Sequence, residues 1–162
     1  MSYSIIGFSA AGQALARAFA RKNIDVTVTS RRPPETLMQQ AQAIGPTVVP
    51  GTLQDAIASG TIFLAVPFWE HREVAKRITT WQGKTIIDMT NAFGVPVEDL
   101  EGQPSAAVVA KAFTGARFVK GFNHLPAAVL AADPSVNGGS RVVSPFCLCN
   151  FCVIGPAILH PV

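Results

Sequence analysis

Seven short runs suited to β-strands punctuate the chain, and stretches with helical spacing separate most of them. Residues 3–6 (Tyr-Ser-Ile-Ile) come first. Ala11 to Arg21 follows, with Leu15, Ala18, Phe19 and Ile24 spaced for one helical face. Asp25–Thr29 is β-branched and alternating, so it reads as a second strand. Pro33 and Pro34 open a helix that runs through Ile44, since proline is tolerated in a first turn. Residues 47–49 form a third strand, and Thr52 caps a short helix ending at Gly60. Thr61–Val66 is a continuous apolar run, as expected of a strand covered on both faces. A helix over Trp69–Trp81, a strand over Lys84–Asp88, a helix over Pro104–Phe113 and a strand over Arg117–Lys120 come next. One or two helical turns are expected over Leu125–Ala132, and Arg141–Val143 starts a seventh strand. Such alternation belongs to a parallel sheet with helices on both faces. Right-handed crossovers then give a doubly wound α/β fold in three layers, with ligands beyond the carboxyl ends of the strands.

A chain of 162 residues favours one domain, here residues 1–143, with 144–162 as an apolar tail and not a second domain. Apolar residues make up 49% and charged residues 14%, which fits a well-buried globular domain and excludes a disordered one. The net charge of +3 comes from scattered residues, and the densest cluster, Arg31–Arg32, is too small for a nucleic-acid stripe. No apolar run reaches the ~20 residues of a membrane helix. A strand, not a secretory leader, opens the chain. Neither nucleic acid nor membrane is therefore an expected partner, and a cytoplasmic protein is expected. Cys147, Cys149 and Cys152 form an odd, late cluster. They make neither a disulfide framework nor the two spaced pairs of a zinc site, so reduced thiols and no metal are expected. Within residues 141–162 Arg141 alone is charged, and this shift in composition reads as an altered or truncated end.

The segment Gly7-Phe8-Ser9-Ala10-Ala11-Gly12 joins the first strand to the first helix. A dinucleotide-binding turn wants small residues at three points there. Gly7 supplies the tight turn, Gly12 lets helix and strand pack closely, and Ser9 takes the middle place usually held by glycine. Serine is small enough for the backbone to approach a pyrophosphate, and the helix N-terminus adds free N–H groups and partial positive charge.

NAD enzymes usually place an acid at the end of the second strand to bind the ribose 2′-hydroxyl. Here Thr29, Ser30, Arg31 and Arg32 stand in that place, and no carboxylate follows until Glu35. Two hydroxyls and two guanidinium groups suit a 2′-phosphate, so the sequence favours NADP(H). The fourth strand ends in a proline, Pro67, which halts pairing and turns the backbone, and Phe68 and Trp69 follow. After the fifth strand, Asn91 is placed to hydrogen-bond a carboxamide or ribose, whereas Asp88 is open to capping its own loop. Asn123 and His124 sit at the mouth of the sixth strand, and His124 is a weak candidate for a proton donor. Hydride transfer to a flavin-like ring requires no strong protein acid or base.

The stretches "GFSAAGQALARAF", "TSRRPPE", "FLAVPFWEHREVAKRI", "GKTIIDMTNAFG" and "FVKGFNHLPAAVLAADP" resemble, in that order, the deazaflavin-dependent NADP reductase family. The likeness runs from Ser4 to Val143, and related domains occur in the cytosolic part of six-transmembrane metalloreductases. It implies a Rossmann-type NADP-binding domain. Its pyrophosphate turn maps to Gly7, Phe8, Ser9, Ala10 and Gly12, and its 2′-phosphate site to Thr29, Ser30, Arg31 and Arg32. The strand-four wall maps to Ala65, Val66 and Pro67, and the strand-five loop to Asn91 and Ala92. Phe122 and Asn123 fall in the later stretch. The resemblance implies an oxidoreductase with NADP(H) as cofactor, a deazaflavin, flavin or other small electron acceptor as second substrate, and a homodimer. An NADP(H)-sensing module without turnover is the alternative. A hydroxyacid-dehydrogenase or imine-reductase type needs a large helical second domain, for which 162 residues leave no room.

Overall fold

The structure is a computed structural model that describes residues 1–133, 135–136 and 139–140. Six strands form one parallel sheet: β1 (Tyr3–Ile6), β2 (Val26–Thr29), β3 (Val48–Pro50), β4 (Thr61–Leu64), β5 (Thr85–Asp88) and β6 (Arg117–Lys120). Their spatial order is β3-β2-β1-β4-β5-β6. Ile5 of β1 lies opposite Val28 of β2 on one side and Phe63 of β4 on the other. Strand order reverses at β1, and the crevice of a doubly wound sheet opens at that point, beyond the carboxyl ends of β1 and β4.

Six helices cover the two faces: α1 (Ala10–Arg21), α2 (Met38–Ile44), α3 (Leu53–Ala58), α4 (His71–Ala75), α5 (Ser105–Ala112) and α6 (Ala127–Ala131). Successive strand side chains point to opposite faces, so each strand feeds two cores. Ile5, Val28 and Phe63 pack with Leu15 of α1 and Ala41 of α2, and Leu130 of α6 joins them. Ile6, Leu64 and Ile86 pack with Ile57 of α3, Val74 of α4 and Val109 of α5. The result is the three-layer doubly wound α/β fold that the alternation predicts.

The structure departs from the expected elements at several places. The helix expected over Trp69–Trp81 is a 3₁₀ turn (Phe68–Glu70) followed by the short α4. Trp81 closes that helix from outside: its indole Nε1 donates to the Ala75 carbonyl at 3.1 Å, and its backbone N–H donates to Thr114 O. The β-branched run Ile78-Thr79-Thr80 between them disfavours continued helix. The segment after Pro33 likewise starts as a 3₁₀ turn (Pro34–Leu37) before α2. Finally, β7 (Ser135–Val136) pairs antiparallel with β8 (Gly139–Ser140) in a small ladder, and the Asn137-Gly138 pair between them in the sequence is its overlooked hairpin signal. The seventh strand expected at Arg141–Val143, the tail 144–162 and Cys147, Cys149 and Cys152 lie outside the described residues.

Candidate functional site

β1 runs into Gly7, whose φ of +106° is left-handed backbone and favours glycine. Gly7 N–H donates to Thr29 O at 2.9 Å, which ties the turn to the end of β2. A β-carbon on Gly7 would stand 2.2 Å from the Ala65 carbonyl oxygen, and one on Gly12 would stand 2.0 Å from the Gly7 carbonyl oxygen. The turn is therefore wedged against the exit of β4, and α1 rests directly on it. Ser9 is the N-cap of α1 in extended backbone, and its hydroxyl makes no capping bond. The first-turn amides of α1 thus face the mouth without that competitor, at the positive end of the helix. Phe8 is buried and gives its carbonyl to Gln13 Nε2, while Ala10 is exposed.

The loop after β2 is shaped by its own hydroxyls. Ser30 Oγ accepts from Arg32 N–H at 3.0 Å, folding the loop on itself. Thr29 is buried, with its hydroxyl turned toward the Ser30 carbonyl, so of the four sequence-selected residues Ser30, Arg31 and Arg32 are the ones with solvent access. Arg31 reaches across the mouth: its Nη1 lies 3.1 Å from Glu70 Oε1, at the end of the turn after β4. Ala65 is buried, Val66 half-buried and Pro67 exposed along the wall beside the glycine turn.

Beyond β5 and β6, a polar network fixes the loops. Asp88 Oδ1 accepts from Thr90 N–H at 2.8 Å, so Asp88 does cap its own loop. Its other oxygen holds Lys120 Nζ at 2.7 Å, and Lys120 also donates to the Thr90 carbonyl. This ion pair is fully buried, and Asp88 and Lys120 are register partners at the ends of adjacent strands. Asn91 and Asn123 clasp each other: Asn91 Nδ2 donates to Asn123 O at 2.6 Å, and Asn123 Nδ2 donates to Asn91 Oδ1 at 3.1 Å. Phe122, next to Asn123, holds a left-handed φ of +62° and packs on Phe63. Ala92 is half-buried, and His124 is exposed.

His71 is a titratable group that sequence reading passed over. It opens α4, is buried, and stacks on Phe68. Its Nδ1 faces the Phe68 carbonyl, which can only accept, so Nδ1 carries the proton and Nε2 is left as an acceptor with no partner among the described residues. Burial pushes its pKa below the ordinary imidazole value, helped by Arg72 and Lys120 and opposed by the Phe68 carbonyl and Asp88. Glu70 and Lys120 were also missed. Lys120 carried a faint signal, as a charge at the carboxyl end of one strand where the preceding strand ends in the opposite charge. Glu70 carried none, because its partner is distant in sequence.

The structure thus gathers Gly7–Gly12, Ser30–Arg32 and Ala65–Pro67 around the end of β1, joins Asn91 to Asn123 at the ends of β5 and β6, and leaves His124 in solvent. A reversing strand order and a β-carbon-excluding glycine turn define a Rossmann-type fold. The chain belongs to the family described as NADP oxidoreductase, coenzyme F420-dependent, whose model matches residues 2–92. It is 36% identical to a hypothetical protein from Sinorhizobium meliloti, over 86% of this chain and 70% of that one, with a TM-score of 0.79. A candidate F420-dependent NADP reductase from Arthrobacter sp. FB24 shares the fold at 20% identity and TM-score 0.67, over 80% of this chain and 65% of that one. A reductive aminase from Aspergillus terreus, solved with NADPH and ethyl levulinate, shares it at 24% identity and TM-score 0.58. That likeness covers 74% of this chain and 40% of the aminase. No curated protein matches the sequence. Among the described residues no helix is long and apolar enough to cross a membrane.

Proposed function

We propose that this chain binds NADP(H) along the carboxyl edge of its sheet and passes hydride between the nicotinamide and a small electron acceptor of the deazaflavin or flavin kind. One observation carries the reading. A turn that admits no β-carbon at Gly7 or Gly12 stands beside a β2 loop with two arginines, two hydroxyl residues and no acid at the ribose position. In this reading the amides from Phe8 to Gly12, with the open Ser9 hydroxyl, hold the diphosphate, while the Gly7 amide is spent on Thr29 O. Ser30, Arg31 and Arg32 hold the 2′-phosphate, and Thr29 supports them from below. Ala65, Val66 and Pro67 wall the nicotinamide half and exclude water, while Asn91, Ala92 and Asn123 line the carboxamide side. When bound, the nicotinamide supplies or accepts the hydride. The task of the chain is orientation, and His124 is the weak candidate for moving a proton. The family's description supports both the choice of NADP and the class of acceptor.

The test pairs binding with turnover. NADPH binding is followed by fluorescence, and NADPH oxidation is followed with a deazaflavin, a flavin, a quinone and a ferric chelate. The reading expects NADPH to bind and to be oxidised by the deazaflavin or the flavin. Binding without turnover on any acceptor would replace the enzyme with an NADP-sensing module. Absence of binding would overturn both.

A further inference from the structure

We propose that Glu70 is a positioning residue for Arg31, one that holds the guanidinium ready for a 2′-phosphate and so helps set the preference for a phosphorylated coenzyme. The inference rests on the NADP(H) reading above and adds a residue to it. Its basis is the ion pair between Arg31 Nη1 and Glu70 Oε1 at 3.1 Å. β1 lies between β2 and β4 in the sheet. A bond from the loop after β2 to the turn after β4 therefore passes over the end of β1, where the glycine turn sits.

The two partners are unequally fixed. The Arg31 side chain is 84% exposed, whereas that of Glu70 is 16% exposed. Glu70 ends a 3₁₀ turn whose backbone is closed by its own N–H bond to Pro67 O, between exposed Trp69 and buried His71, with buried Phe68 opening the same turn. Glu70 is the anchored member and Arg31 the adjustable one. An exposed arginine otherwise spreads over many rotamers, and ordering it at the moment of binding weakens the complex. The pair uses Nη1, and the guanidinium has further donors for a phosphate. Glu70 stands at the head of α4 and not in the loop after β2, so by chain position it is not the acid that meets the ribose hydroxyls in NAD enzymes. Glu70 is itself mostly buried, so its repulsion of a phosphate is only partly screened, and titration reads orientation against repulsion: tighter NADPH binding without the carboxylate would mean that repulsion prevails.

The test is calorimetric titration of NADPH, NADH and 2′-AMP into the wild-type chain, Glu70→Gln, Arg31→Ala and the double variant, near physiological ionic strength. Glu70→Gln is expected to weaken NADPH and 2′-AMP about two- to fivefold, the range of an exposed ion pair. NADH should change by less than about 1.5-fold. In the Arg31→Ala background, Glu70→Gln should have no further effect, which separates positioning from a general structural role. Unchanged or tighter NADPH binding in Glu70→Gln overturns the inference, as does an equal loss for NADH. An undiminished effect of Glu70→Gln without Arg31 overturns it too. If Arg31→Ala leaves NADPH binding intact, the assignment of Arg31 to the 2′-phosphate falls and the Glu70 inference falls with it, a result distinct from a failure at Glu70 alone.

Discussion

Gly12 admits no side chain without moving backbone, because the obstacle is the carbonyl oxygen of Gly7 and not the tip of a flexible side chain. Gly12→Ala should therefore destabilise the fold by roughly 1–3 kcal/mol, as overpacking does. Gly7→Ala should lose more, since a left-handed φ adds to the clash with Ala65. Urea denaturation measures both, and an unchanged midpoint in either variant would contradict the geometry. His71 makes a different prediction at the same scale. Its folded-state pKa lies below the ordinary 6.5, chiefly through burial. As pH falls, the unfolded chain takes up the proton first, so stability is fully present above about pH 6.5 and declines below it toward the folded-state value. Thermal melts should show the midpoint dropping as pH falls below about 6.5, and His71→Gln should flatten that slope. A slope that persists in the variant would assign the effect elsewhere.

Elements here are held by their ends as much as by their faces. Thr52 and Asp55 form a reciprocal capping box on α3: Thr52 Oγ1 accepts from Asp55 N–H, and Asp55 accepts from Thr52 N–H. Thr52→Ala should lower stability by about 1 kcal/mol, measured by chemical denaturation. The ends of β5 and β6 depend on Asp88 and Lys120. Lys120→Met leaves a buried carboxylate without its ion-pair partner, and a loss of about 3–5 kcal/mol is expected in the same experiment. A loss near zero would show that Asp88 finds another partner. These elements differ in how far the sequence announced them. The Thr52 cap, the β-branched run of β2 and the apolar run of β4 are local signals and were legible. The end of α4 was not, because the indole of Trp81 acts from outside the helix, and helical spacing cannot distinguish that from one more turn. The Asp88–Lys120 pair was not legible either, since it exists only once β5 and β6 are in register.

At the scale of the molecule, strand order converts separate loops into one ledge. The glycine turn, the arginine loop and the β4 wall are each readable one by one, because each has its own composition. Their convergence follows from β1 sitting between β2 and β4, an order that alternation and right-handed crossovers allow but do not single out, since a flavodoxin-like order would seat β1 between β2 and β3. What topology alone cannot supply is side-chain reach: Arg31 to Glu70, or Asn91 to Asn123. Those contacts decide how open the mouth is and how firmly its far end is fixed. Their placement at the ends of the strands makes affinity for the phosphorylated coenzyme a property of the loops, separable from the stability of the two cores. Arg31→Ala combined with Arg32→Ala should thus leave the melting temperature nearly unchanged while weakening NADPH by at least about tenfold and NADH far less, since each charge-assisted bond contributes roughly 1.5–3 kcal/mol. The most direct test of the account is a crystal structure with NADPH bound. The account predicts the diphosphate on the amides between Gly7 and Gly12, and the 2′-phosphate within hydrogen-bonding distance of Arg31. A coenzyme lying elsewhere, or a 2′-phosphate pointing into solvent away from both arginines, would contradict it.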